Sequence, residues 1–156
     1  MSPPNIEDRL AELGIALPEP TAPAANYVPF VVTGNLVSIS GQVPMKDGAI
    51  MLTGKVGAEV SLQQATEAAR VCAIQIIAQL KAACGGDLGR VTRIVKPGGF
   101  VNCVEGFGDQ PEVINGASDL MVEVFGDIGR HSRAAVGVNA LPRNVPVEVD
   151  ALAQIN

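Results

Sequence analysis

The sequence predicts an α+β fold in which a mixed β-sheet carries two helices on one face, with a further short helix at the N-terminus. Three observations lead there. Two segments, 61–84 and 109–126, repeat apolar residues at helical spacing. Several shorter stretches rich in Val, Ile and Ala, bounded by Gly and Pro, have the composition of strands. The elements run in the order helix, hairpin, long helix, strands, helix, hairpin, and a layer of helices over one sheet face buries both partners. The chain has 156 residues, about one domain's worth. It is therefore read as a single domain, 1–156, with 1–21 as a helical extension and linker.

Each element has its own signal. Ile6, Leu10 and Leu13 share one helical face, and Gly14 offers a stop. Pro18 to Ala25 holds three prolines and reads as an extended connector. Tyr27–Val32 and Leu36–Ser40 flank Thr33-Gly34-Asn35, a hairpin. Gly41 follows at once, where a missing side chain permits close backbone approach. Lys46-Asp47-Gly48 is a turn.

Ser61–Cys84 is the clearest helix. Ser61 and Gln64 form a capping box, and Leu62, Ala65, Ala69, Cys72, Ile76 and Leu80 step along one side before Gly85-Gly86 ends it. Leu88–Val95 and Phe100–Val104 are strand candidates with Pro97-Gly98-Gly99 between them, and the glycine-rich piece reads alternatively as a bulge within one long strand. Asp109 and Glu112 repeat the capping pattern ahead of a second helix. Gly116, costly in a helix interior, implies tight packing there. Ser132–Leu141 and Val145–Leu152, joined by Pro142-Arg143-Asn144, read as a closing hairpin.

Composition narrows the function. Hydrophobic residues make up 47% and charged ones 17%, with a mean hydropathy of +0.29. That balance favours burial of apolar surface against another subunit. The second sheet face has nothing in this chain to cover it, and association of several sheets would do so. The net charge of -5 and the scattered Lys and Arg offer no track for phosphates, so no nucleic-acid partner is expected. Cys72, Cys84 and Cys103 have neither disulfide nor zinc spacing, and the first two fall on apolar helical positions. No signal peptide or membrane span is recognisable, which points to a cytoplasmic protein without a membrane partner.

Few residues can carry chemistry. One histidine, His131, leaves no room for a His-based metal cluster, so no metal is expected. Lys96-Pro97-Gly98-Gly99 lacks the spacing of a phosphate loop. What stands out is Arg133 at the head of Ala134-Ala135-Val136-Gly137-Val138, and Glu148 within Val147-Glu148-Val149. Two readings are open. They are a buried structural ion pair on adjacent strands, or Arg133 binds a substrate carboxylate while Glu148 holds or activates water. His131 reads first as an exposed loop residue, and alternatively as part of the rim of such a site.

With these residues the sequence resembles the Rid (reactive intermediate deaminase, YjgF-type) family from about Ala22 to Ala153. The resemblance lies in Ala22-Pro23-Ala24-Ala25-Asn26-Tyr27, in Gly34 to Pro44 with its Ser40-Gly41-Gln42 centre, in Ser132 to Val136 with Leu141-Pro142, and in Val147 to Ala151. It implies a chorismate-mutase-like fold and a homotrimer with clefts between subunits. It also implies cofactor-free hydrolysis of enamines and imines, such as 2-aminoacrylate, to 2-oxo acids and ammonia. Carried over by motif, Arg133 grips the substrate carboxylate and Glu148 positions the water. Tyr27, Ser40 and Asn115 line the cleft. The other reading of the same cleft is a regulatory trimer that binds small carboxylates without turnover. The sequence departs from the family pattern at Ala135, where Cys is common, and at Asn139. His131-Ser132 stands where a Pro-Ala pair is usual.

Overall fold

The computed structural model describes residues 5–20 and 25–156. Part of the proline-rich connector, 21–24, and with it most of the Ala-Pro-Ala motif, lies outside the described residues. Among the described residues three α-helices, α1 (Ile6–Glu12), α2 (Leu62–Ala83) and α3 (Gln110–Phe125), accompany seven strands. These are β1 (Phe30–Thr33), β2 (Leu36–Gln42), β3 (Met45–Lys46), β4 (Ala49–Ile50), β5 (Val91–Asn102), β6 (Ala134–Val138) and β7 (Val147–Ile155). Five of them form one mixed sheet in the order β1-β2-β7-β5-β6, and β3 pairs with β4. The α+β class and the two helices on one sheet face are as predicted.

The alternation along β7 shows how the sheet divides its faces. Val147, Val149, Ala151, Ala153 and Ile155 are buried under the helices, while Glu148, Asp150, Leu152 and Gln154 are half-buried on the other face. In α2 the Ser61 hydroxyl accepts from the Gln64 amide and Gln64 reaches back, so the capping box forms as read. Ala65, Ala69, Cys72, Ile76 and Leu80 are all buried. Burial pushes the thiols of Cys72 and Cys84 up, which leaves them as small core hydrophobes. Gly116 sits where α3 crosses α2, and a Cβ there would collide with the Thr66 carbonyl. α1 is tied down by buried Leu10, by Arg9 Nε donating to the Glu123 carbonyl at 2.8 Å, and by an ion pair between Lys81 and Glu7 at 3.0 Å.

Three local readings need correction and a fourth is refined. The closing hairpin does not form: β6 pairs in parallel with β5, and β7 pairs antiparallel with both β5 and β2. Parallel strands need a crossover, and α3 between β5 and β6 provides it. The long-strand reading holds, since residues 91–102 make one continuous strand through Pro97-Gly98-Gly99, but the register shifts fall earlier than those glycines, between Val91 and Arg93 and between Ile94 and Lys96. The glycines serve close contact: a Cβ on Gly98 would meet the Asp150 carboxylate, and one on Gly99 the Ile114 side chain. Leu88–Arg90 is a 3-10 turn whose Asp87 side chain accepts from the Gly89 amide at 2.9 Å. Asp109 precedes α3 but makes no side-chain cap, because its backbone (φ -98, ψ 28) is not the extended conformation a cap requires.

Chemical denaturation should separate these features. Ser61→Ala is expected to cost about 1 kcal/mol, while Asp109→Ala should fall within about 0.5 kcal/mol of the parent. Gly116→Val should cost about 3 kcal/mol through overpacking.

Candidate functional site

The residues singled out by sequence fall into two groups. The first gathers at the head of β6. Arg133 Nη1 donates to Asn115 Oδ1 at 2.9 Å and to Ser118 Oγ at 3.0 Å, and Nη2 donates to the Pro111 carbonyl at 3.2 Å. All three acceptors belong to α3. Asn115 and Ser118 are three residues apart, so one helix face presents both. The acceptors are neutral. Among the described residues no carboxylate pairs with Arg133. Arg133 is half-buried, and two of its five N–H donors, Nε–H among them, are not used by any of the described residues.

His131 belongs to this group and not to an exposed loop. Its ring is half-buried, with Nδ1 2.6 Å from the Gly129 carbonyl and Nε2 2.9 Å from Ser118 Oγ. Ser118 was not singled out by sequence. Its position one turn after Asn115, on the face that meets β6, is the signal that could have found it.

The second group lies on the open face of the sheet. Glu148 projects over the backbone of Gly41, so close that a Cβ on that glycine would overlap Glu148 Oε1. Next to it, Ser40 Oγ donates to the Val28 carbonyl at 2.7 Å, which draws the segment carrying Tyr27 toward the same region. Tyr27 is 56% exposed. Burial lifts the Glu148 carboxyl above its ordinary range, and the neighbouring Asp150 charge adds to that. Burial likewise lifts Asp150, opposed by backbone N–H groups of Gly98 and Asp150 and by Lys96.

The structure thus brings Arg133 and Asn115 together, and Glu148 near Ser40, but does not join the two groups within one chain. β5 separates β6 from β7. Arg133 turns toward α3, whereas Glu148 stands opposite Phe100 on the uncovered face. The structural Arg133–Glu148 pair on neighbouring strands is therefore not formed. Among the described residues no group of three or more His, Cys, Asp or Glu is placed to hold a metal ion, and no helix is long and apolar enough to cross a membrane.

This sheet order, a cation held by α3 and a glutamate over the Ser40-Gly41-Gln42 end of β2 are the features to set against known proteins. Residues 7–155 match the family described as "YjgF/chorismate_mutase-like, putative endoribonuclease", and the chain belongs to that YjgF/Rid family. The match begins within α1, so the N-terminal helix lies inside it. The chain is similar to Protein TCP17 of Trypanosoma cruzi, 49% identical over 153 residues that cover 97% of this chain and 95% of that one. It is also similar to the crystal structure of Atu1372 from Agrobacterium tumefaciens, at 52% identity, with a TM-score of 0.91 and coverage of 97% and 92%. The YjgF gene product of E. coli is a more distant relative, at 28% identity and a TM-score of 0.61, covering 88% of this chain and 96% of that one.

Two outcomes follow from the Glu148 environment. A carboxyl whose folded pKa is raised binds its proton more tightly when folded. Its contribution is therefore full at low pH and is lost as pH rises from the unfolded value through the folded one. Glu148→Gln should therefore gain stability relative to the parent as pH climbs through that window, measured as a melting-temperature difference against pH. Gly41→Ala should fold with little loss, because the Glu148 tip can move aside, yet displace that carboxylate.

Proposed function

We propose that the chain is a hydrolytic deaminase of reactive 2-imino acids and their enamine tautomers, acting as a homotrimer without a cofactor. The observation that carries this reading is Arg133, a partly buried cation held by three neutral acceptors and left without a carboxylate of its own. A guanidinium in that state attracts a planar anion, and its remaining donors suit a small carboxylate. Family membership supports the same chemistry. Assembly follows from what one chain leaves open. Val31, Val32 and Val136 are exposed on the two edge strands, and Tyr27 and Val28 are exposed beside them. Three sheets meeting at their open faces would cover this surface and bring the Arg133 and Glu148 groups to one cleft. Three free thiols suit a reducing cytoplasm.

In such a cleft the substrate carboxylate lies on Arg133, beside Asn115, with its imine carbon toward the water held by Glu148. Tyr27 and Ser40 line the side. The water oxygen bonds to the imine carbon while one of its protons passes through Glu148 to the nitrogen, giving a carbinolamine. The hydroxyl proton then follows the same route, the C–N bond breaks with its electron pair on nitrogen, and a 2-oxo acid and ammonia leave. A carboxyl lifted above the ordinary range takes and returns a proton more readily near neutral pH than an exposed one. The net charge of -5 and the absence of a basic track argue against RNA as substrate.

Freshly generated 2-aminoacrylate, followed by 2-oxo acid release, tests the proposal. The protein should accelerate hydrolysis over buffer, and Glu148→Gln should lower kcat about 100-fold or more. Arg133→Ala should abolish both turnover and thermal stabilisation by 2-oxo acids. Stabilisation without turnover would indicate a carboxylate-binding regulator, and sedimentation as a monomer would remove the shared cleft.

A further inference from the structure

The cation at the head of β6 is itself held in place by a chain of hydrogen bonds whose donors and acceptors can be assigned atom by atom. The Gly129 carbonyl can only accept, so the 2.6 Å contact places a proton on His131 Nδ1. In the neutral ring Nε2 is then a bare acceptor, and the atom 2.9 Å from it is Ser118 Oγ. That hydroxyl has one proton. Nε2 takes it, and the lone pairs turn toward Arg133 Nη1 at 3.0 Å. A helical serine without such a partner turns its hydroxyl to solvent or back to the carbonyl four residues earlier. The imidazole therefore fixes the direction of the hydroxyl proton, and with it which lone pair Arg133 meets.

The start of the chain is fixed as firmly as its end. Gly129 is buried, and a Cβ on it would overlap the Met121 carbonyl, so the 3-10 turn Gly126–Gly129 lies directly against α3. The carbonyl that orients His131 and the serine that reads its orientation are thus mounted on one packed unit. Asn115 and the Pro111 carbonyl hold the guanidinium from the same helix.

We infer that His131 and Ser118 are positioning residues for Arg133: the relay Gly129 carbonyl, His131, Ser118, Arg133 sets the guanidinium plane so that Nε–H and the remaining Nη2–H face a substrate carboxylate. This rests on the proposed role of Arg133 as the carboxylate-binding group. It gives a use to His131, which sequence alone left between loop and rim.

Two measurements test it, and they fail separately. His131 is the sole histidine, so the imidazole ¹⁵N signals of the ligand-free protein need no assignment by mutation. They should show the Nδ1–H tautomer and shift in Ser118→Ala. A proton on Nε2 would overturn the relay whatever the ligand. The second measurement is pyruvate affinity by calorimetry. Ser118→Ala and His131→Phe should each weaken binding about tenfold, the loss expected for a hydrogen bond to a charged group. The double variant should be no weaker than either single one. His131→Gln, whose side-chain oxygen reaches the place of Nε2, should recover most of the affinity. In turnover the same variants should raise KM more than they lower kcat. Wild-type affinity in both single variants, or additive losses in the double variant, would overturn the inference. If the parent protein binds no pyruvate, the role of Arg133 itself falls, while the imidazole spectrum still decides whether the relay exists.

Discussion

The rest of the structure depends on how closely α3 can approach its neighbours. Two positions without side chains set that distance. Gly116 lets α3 lie on the backbone of α2 at Thr66, and Gly99 lets Ile114 reach down onto β5. A helix held off by even a methyl group at either place would move away from β6. Its Asn115, Ser118 and Pro111 carbonyl would then lose the guanidinium they hold within hydrogen-bond distance. Backbone packing in the core thus fixes the geometry of a polar group at the edge of the sheet, because close-packed interiors transmit small displacements.

The electrostatic arrangement is asymmetric in a useful way. The positive group is surrounded by neutral dipoles, so its charge is solvated by the protein without being cancelled. The negative groups, Glu148 and Asp150, stand together on the open face, where burial raises both. Two crowded carboxylates on a partly buried face each disfavour the other's ionisation. The same open face carries Phe100 and Leu152 beside Glu148 and Asp150, so apolar cover and polar chemistry are requested from the same side.

Much of this was legible from sequence because it is local. The capping box at Ser61, the stop at Gly85-Gly86, the hairpin at Gly34-Asn35 and the tight packing at Gly116 are each written in a few neighbouring residues. Arg133 and Glu148 stood out because charge is rare in their surroundings. The failures are of another kind. Ser132–Leu141 and Val145–Leu152 are close in sequence and each strand-like, so a hairpin was the natural reading, yet β5 takes the place between them. The Pro97-Gly98-Gly99 stretch is compatible with one long strand, but its register gives no sign that its small residues make room for Asp150 and Ile114. His131 looked like a loop residue because its partners, Gly129 and Ser118, become neighbours only when the 3-10 turn folds onto α3.

The sequence by itself determined the class of fold, the long capped helix, the acidic and apolar character, and the presence of two charged residues, Arg133 and Glu148, among apolar neighbours. Those properties follow from periodicity, capping and composition, which need only near neighbours along the chain. Tertiary structure decided strand order, the face to which each charge points, and the partners of Arg133. These depend on which distant backbones can touch. Strand patterns fix which residues share a face, but they leave open which strand lies alongside.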